Sequence, residues 1–202
     1  MNCFLVNPFG DPSPADQAEF VLRLYFGKGD DKLRLAIRRA YQDFSRTMHG
    51  INEYPDARPL ADHFIYDAIA QLAHQIDDPS GSSFDMWHKQ TSLDLCNVYS
   101  AAGYKSFCVG QAQKWINMAL KYVFVFGETS LSGYQKWYPH CHVPIDNIIL
   151  EQEEFRNLRS FECAWSRISD YGEYMAFQSS VRNKFKPTPP LTIEFWTWQR
   201  NS

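Results

Sequence analysis

Nowhere do the 202 residues hold the ~20 consecutive apolar side chains that a bilayer-spanning helix needs, which excludes an expected membrane span. Cysteine is sparse. The five, Cys3, Cys96, Cys108, Cys141 and Cys163, are odd in number, widely scattered and without a C-x-x-C pair, which argues against a disulfide framework or a zinc ribbon. Excess positive charge is missing too: the net charge of -3 gives no global electrostatic reason to hold a polyanion. The sequence lacks a phosphate-binding glycine loop, a Gly-x-Ser-x-Gly elbow and a dinucleotide fingerprint, so nucleotide-cofactor and serine-hydrolase chemistry lack their residues and no cofactor is expected. The first residues carry no basic n-region and their apolar run is short, so no signal peptide is expected and a reducing cytoplasm is the expected location.

What is present is apolar mass. Hydrophobic residues make up 45% of the chain and aromatics 16%, too much apolar surface to stay in water. The length suits one domain spanning 1–202. Helical spacing dominates, and the expected fold is all-α. Helices are predicted over Ala15–Phe26, from an Asp30 cap to about Met48, over Leu60–Ile76, from about Phe84 to Tyr99, over Val109–Phe126 and from about Ser166 to Phe185. Turns are expected at Asn7–Pro14, at Tyr54–Pro59 and at Asp77–Ser83. The tail Leu191–Trp198 fits a strand by its alternation or a short helix by its spacing. Arg34, Arg38, Arg39 and Arg46 fall on a charged outer face, and Lys184 and Lys186 make a second basic pair.

Val109–Phe126 carries a broad apolar stripe that includes Trp115, Ile116, Ala119 and Val123, and near its start stands Lys114. Downstream, Pro139-His-Cys-His-Val-Pro-Ile-Asp reads as extended chain, because residues before proline avoid the helical region. Asp146 ends that stretch as the predicted N-cap of a helix beginning at Asn147. An amine that attacks a sugar carbon must shed a proton, and a nearby carboxylate can act as base or stabilise the sugar cation that forms. Lys121, seven residues after Lys114 and on the same helix face, competes for the nucleophile role.

These residues resemble the helix-hairpin-helix base-excision DNA glycosylases. There a glycine-containing turn precedes a lysine-bearing helix, and a Val-Pro-Val-Asp-like segment, here Val143-Pro-Ile-Asp146, supplies an aspartate. The stretch is most similar to the divergent archaeal 8-oxoguanine glycosylase branch, through Gln113-Lys114 followed by Lys121, with Trp115 where the family has threonine or alanine. The resemblance covers about forty residues, Val109 to Leu150. It implies a two-part helical body around a cleft, Lys114 as nucleophile, Asp146 as the essential carboxylate and DNA as partner. Trp115, Trp137 and Tyr138 are the candidate walls for a flipped base, with Gln113 and His142 beside them. His140-Cys141-His142 holds three possible metal ligands, but alternation turns Cys141 away from the histidines, so these are read as structural and no metal is expected. The alternative is a non-enzymatic helical protein-interaction or nucleic-acid-binding domain in which the same polar residues are caps.

Overall fold

The computed structural model describes residues 11–75 and 79–200, and the expected turns around Asn7 and Asp77 lie outside them in part or whole. Among the described residues there are helices and no strand, so the fold is all-α. The chain divides into two compact units, residues 1–30 and 31–202. The first contains α1 (Pro14–Phe26), started by a Ser13/Asp16 capping box with proline in its first turn.

The second unit is built around α5 (Val109–Phe126), with bounds that match the spacing of its apolar residues. Residues 109 through 123 are all buried, polar side chains included, so this helix is the centre of the unit. Against it pack α2 (Lys32–Phe44), α4 (Gly81–Ala101), α8 (Tyr171–Phe185) and the 3-10 turn Trp165–Arg167. Between α2 and α4 lies α3 (Ala57–His74), whose Ala57, Ala61, Ile65, Ile69 and Leu72 repeat once per turn and are buried. Trp115 fills the joint with α2: its ring touches Tyr41 and Phe44, and its indole N–H donates to the Ile37 carbonyl at 3.0 Å.

Several boundaries differ from the sequence expectation for identifiable reasons. Asp31, not Asp30, accepts the Arg34 N–H and caps α2. α3 begins at Ala57, inside the expected turn, because Pro59 falls in its first turn, where a missing N–H costs nothing. Ser80 and Ser83 cap each other's backbone and start α4 three residues before Phe84. α8 starts later than expected, at Tyr171, where the Asp170 carboxylate takes the Gly172 N–H at 2.7 Å. The ambiguous tail is helical, α9 (Pro190–Arg200), with Leu191, Glu194 and Thr197 buried at three-residue intervals. Trp196 and Trp198 are half exposed.

The segment that carries Asp146 is fastened at both ends. The 3-10 stretch Gln135–His140 is pinned to α3, since the Tyr134 hydroxyl donates to Ile69 O and the Trp137 indole N–H to Leu72 O. Residues 141–145 then run extended and fully buried. Two short helices follow, α6 (Asn147–Glu151) and α7 (Glu153–Arg156).

Close approach of α5 to the Trp165 turn depends on Gly110. A Cβ there would lie 1.9 Å from the Trp165 carbonyl oxygen, while the Gly110 N–H donates to Ile168 O at 2.8 Å. We predict that Gly110→Ala destabilises the fold by about 3 kcal/mol in urea unfolding, the upper end for overpacking a filled site. Gly81→Ala, whose nearest new neighbour is 3.9 Å away, should leave the midpoint unchanged or raise it slightly.

Candidate functional site

Burying an extended segment between helices leaves its N–H and C=O groups to be satisfied one by one. Two glutamines do this. Gln178, from α8, accepts the Val143 N–H at 3.1 Å and donates to the Val143 carbonyl at 2.8 Å. Gln113, from α5, does the same for Ile145, accepting at 3.1 Å and donating at 2.9 Å. The clamp on Ile145 sets the direction in which the chain leaves towards Asp146.

Asp146 uses its two carboxylate oxygens differently. Oδ1 accepts the Ile149 N–H at 2.8 Å and caps α6. Oδ2 accepts from the Lys114 ammonium at 2.6 Å. The side chain of Lys114 is 4% exposed and that of Asp146 18%, so the amine is withdrawn from water while the carboxylate keeps an open edge. Lys114 and Asp146, 32 residues apart, therefore share one site.

Lys121 does not join them. Its ammonium donates to Glu194 Oε1, on α9, at 2.7 Å, and both partners are buried. The Phe195 ring lies 5.0 Å from that ammonium and the Trp198 ring 5.6 Å. Glu194 Oε2 is buried without a hydrogen-bond partner among the described residues. The two lysines lie on one helix face, about 10 Å apart along the axis, and each is answered by its own carboxylate.

The expected base walls are placed elsewhere. Trp115 and Trp137 are 0% and 1% exposed, and each indole N–H is spent on a backbone carbonyl, so neither ring offers a face to a ligand; both are core residues. Tyr138 stands edge-on to Phe124, and its hydroxyl pairs with Thr192 at 2.9 Å, which ties the 3-10 stretch to α9. Gln113 serves the backbone of Ile145, as described above. His142 is buried within a network that sequence spacing did not signal.

In that network His142 Nε2 meets Asp85 at 2.7 Å and His142 Nδ1 meets the Tyr174 hydroxyl at 2.7 Å. Arg182 grips both Asp85 oxygens at 2.7 Å. Asn117 Nδ2 donates to Tyr174 and to Gln113 Oε1, and Asn117 Oδ1 meets His88 Nε2 at 3.1 Å. Burial disfavours the charged imidazole and pushes His142 down to about 4, and burial likewise holds His88 well below its usual value. Burial alone would raise the Asp85 carboxyl, but the hydrogen bonds from His142 and Arg182 outweigh it and hold the group far below the carboxylate range. Among the described residues no three His, Cys, Asp or Glu side chains are grouped to hold a metal, and no helix is long and apolar enough to cross a membrane. The arginines of α2 are partly answered, Arg34 by Asp31 at 3.6 Å and Arg39 by Asp43 at 3.5 Å.

Searches with protein-family models, curated proteins and solved structures give no match to the chain. The functional reading rests on the site itself.

The buried histidines make the fold acid-sensitive. Between the ordinary histidine value of 6.5 and about 4 the unfolded chain takes up a proton at His142 that the folded chain refuses, so stability falls as pH falls. The expected slope is up to about 1.4 kcal/mol per pH unit for each such histidine, with His88 acting in the same direction. Asp85 adds a further loss below its ordinary 3.8. Urea midpoints measured from pH 7 to pH 4.5 should drop steadily, and a flat profile would contradict the burial of neutral imidazoles.

Proposed function

We propose that the protein is a DNA base-excision glycosylase-like enzyme in which Lys114 is the nucleophile and Asp146 the carboxylate that serves it. The observation that carries this reading is the 2.6 Å contact between Lys114 Nζ and Asp146 Oδ2, with the amine desolvated and the carboxylate open at one edge. Reaction begins when the ammonium passes a proton to Asp146. The freed amine attacks the sugar C1′, and the bond from C1′ to the base breaks, the base leaving with the electron pair and taking up the proton that Asp146 received, so that Asp146 is again a carboxylate. A second proton leaves the nitrogen for the ring oxygen O4′ as the C1′–O4′ bond opens, which yields an iminium at C1′. While the sugar carries positive charge, the Asp146 carboxylate offsets it in a water-poor setting.

The Lys121–Glu194 pair fits a different task, fastening α9 to α5. Lys121 itself is held by Glu194 away from Asp146 and is assigned no attack on the sugar.

Borohydride trapping on duplex oligonucleotides tests both assignments, with one panel carrying modified bases and one duplex carrying a bare abasic site. Reduction of the iminium should give a stable protein–DNA adduct. Lys114→Gln should abolish it, and Asp146→Asn should slow it on the order of a hundredfold. Absence of any adduct from folded protein across both sets would reject the glycosylase reading and favour a non-enzymatic helical module.

A further inference from the structure

Six side chains lead from the surface to the backbone that holds Asp146, and hydrogen-bond chemistry allows their protons only one order. Arg182 occupies both oxygens of Asp85, so Asp85 is an ionised carboxylate and can only accept. His142 must then carry its proton on Nε2, which donates to Asp85 Oδ1 at 2.7 Å. The lone pair left on Nδ1 requires a donor, and the Tyr174 hydroxyl supplies it at 2.7 Å. With its proton committed, the Tyr174 oxygen accepts, and Asn117 Nδ2 donates to it at 3.0 Å. The second amide proton of Asn117 goes to Gln113 Oε1, 3.2 Å away.

This fixes the Gln113 amide: Oε1 takes the Ile145 N–H, and Nε2 donates to the carbonyls of Ile145 and Gly110, each at 2.9 Å. A side branch obeys the same order. Asn117 Oδ1 accepts from His88 Nε2, leaving His88 Nδ1 to accept from the Tyr171 hydroxyl at 2.8 Å. Reversing any amide or imidazole would set acceptor against acceptor or donor against donor inside a core where His88, His142, Gln113 and Tyr174 are all 0% exposed.

We infer that Asp85, His142, Tyr174, Asn117 and Gln113 form a proton-ordered positioning chain, anchored by Arg182, which sets the Ile145 backbone and through it the reach of Asp146 to Lys114. The inference rests on the proposed Lys114/Asp146 reaction for its catalytic consequence, but the proton order stands on the geometry of the chain alone. None of the six touches the reacting groups; they act through Ile145. A carboxylate that must receive a proton across 2.6 Å is sensitive to displacement of a fraction of an ångström, because proton transfer and attack both depend on alignment.

The test uses the full-length protein. Nitrogen-15 spectra of the histidine rings at pH 7 should show His142 and His88 neutral and protonated on Nε2. Asp85→Ala removes the acceptor that holds the proton on His142 Nε2, so His142 should move towards the Nδ1–H form. In Tyr174→Phe the Ile145 amide should exchange with solvent faster than in Ile65→Val, a core variant outside the chain, compared under conditions where both are fully folded. On the abasic duplex, Tyr174→Phe should slow single-turnover borohydride trapping on the order of tenfold with duplex affinity unchanged, whereas Ile65→Val should trap at the wild-type rate.

An Nδ1–H form of His142 in the wild type, equal Ile145 exchange in the two variants, or undiminished trapping by Tyr174→Phe would each overturn the inference. If the wild type forms no adduct, the glycosylase reading falls while the ring spectra and the Ile145 exchange still decide the chain.

Discussion

A helix buried on every side cannot leave a polar side chain unanswered, and α5 carries Gln111, Gln113, Lys114, Asn117 and Lys121 within such a stretch. Each is met by a different part of the unit. Gln111 donates to the Thr47 carbonyl, Gln113 clamps Ile145, Lys114 meets Asp146, Asn117 meets Tyr174 and His88, and Lys121 meets Glu194. These requirements hold the second unit in one arrangement, because an apolar core alone would accept small shifts of its helices that charged and amide groups forbid. Burial of charge carries a cost as well: removing one member of either ion pair leaves an unpaired charge in the core.

The two ammonium–carboxylate pairs of α5 are alike in chemistry and unlike in setting. Asp146 comes from a helix cap, is partly open, and satisfies a backbone N–H with its second oxygen. Glu194 comes from the middle of α9, is closed off, and has no partner for its second oxygen among the described residues. In the proposed reaction that contrast divides the labour: the open pair handles protons and the sugar, and the closed pair fastens α9 to α5. Around the open pair, Gln178 and Gln113 hold an extended backbone with the two-point geometry a neighbouring strand would otherwise provide.

Local chemistry was legible in the sequence, and of the long-range pairs only Lys114 with Asp146 was, through the resemblance. The bounds of α5 follow from apolar spacing, and Asp146 at the cap of α6 follows from the extended Val143-Pro-Ile run that precedes it. Both depend on neighbours within a few residues. The partners of His142 lie 57 residues before it and 32 after it, and Glu194 is 73 residues from Lys121. Nothing in one sequence marks such pairs, although Gln113 and Asn117, one turn apart on a helix with an apolar stripe, are the kind of buried amides that announce a network. Trp115 and Trp137 were drawn towards the site by adjacency in sequence, yet helix geometry and the pinned 3-10 stretch turn both into the core. The tail became legible only with Pro189-Pro190 read as a helix start and Glu194 as an inward-facing acid, a placement its Lys121 partner makes tolerable.

The central claim is that Lys114, and not Lys121, attacks the sugar under the guidance of Asp146. The direct measurement is mass-spectrometric mapping of the reduced protein–DNA adduct after nuclease and protease digestion. The account predicts a single deoxyribose-derived modification, on Lys114. A modification on Lys121, or one spread over exposed lysines, would contradict it.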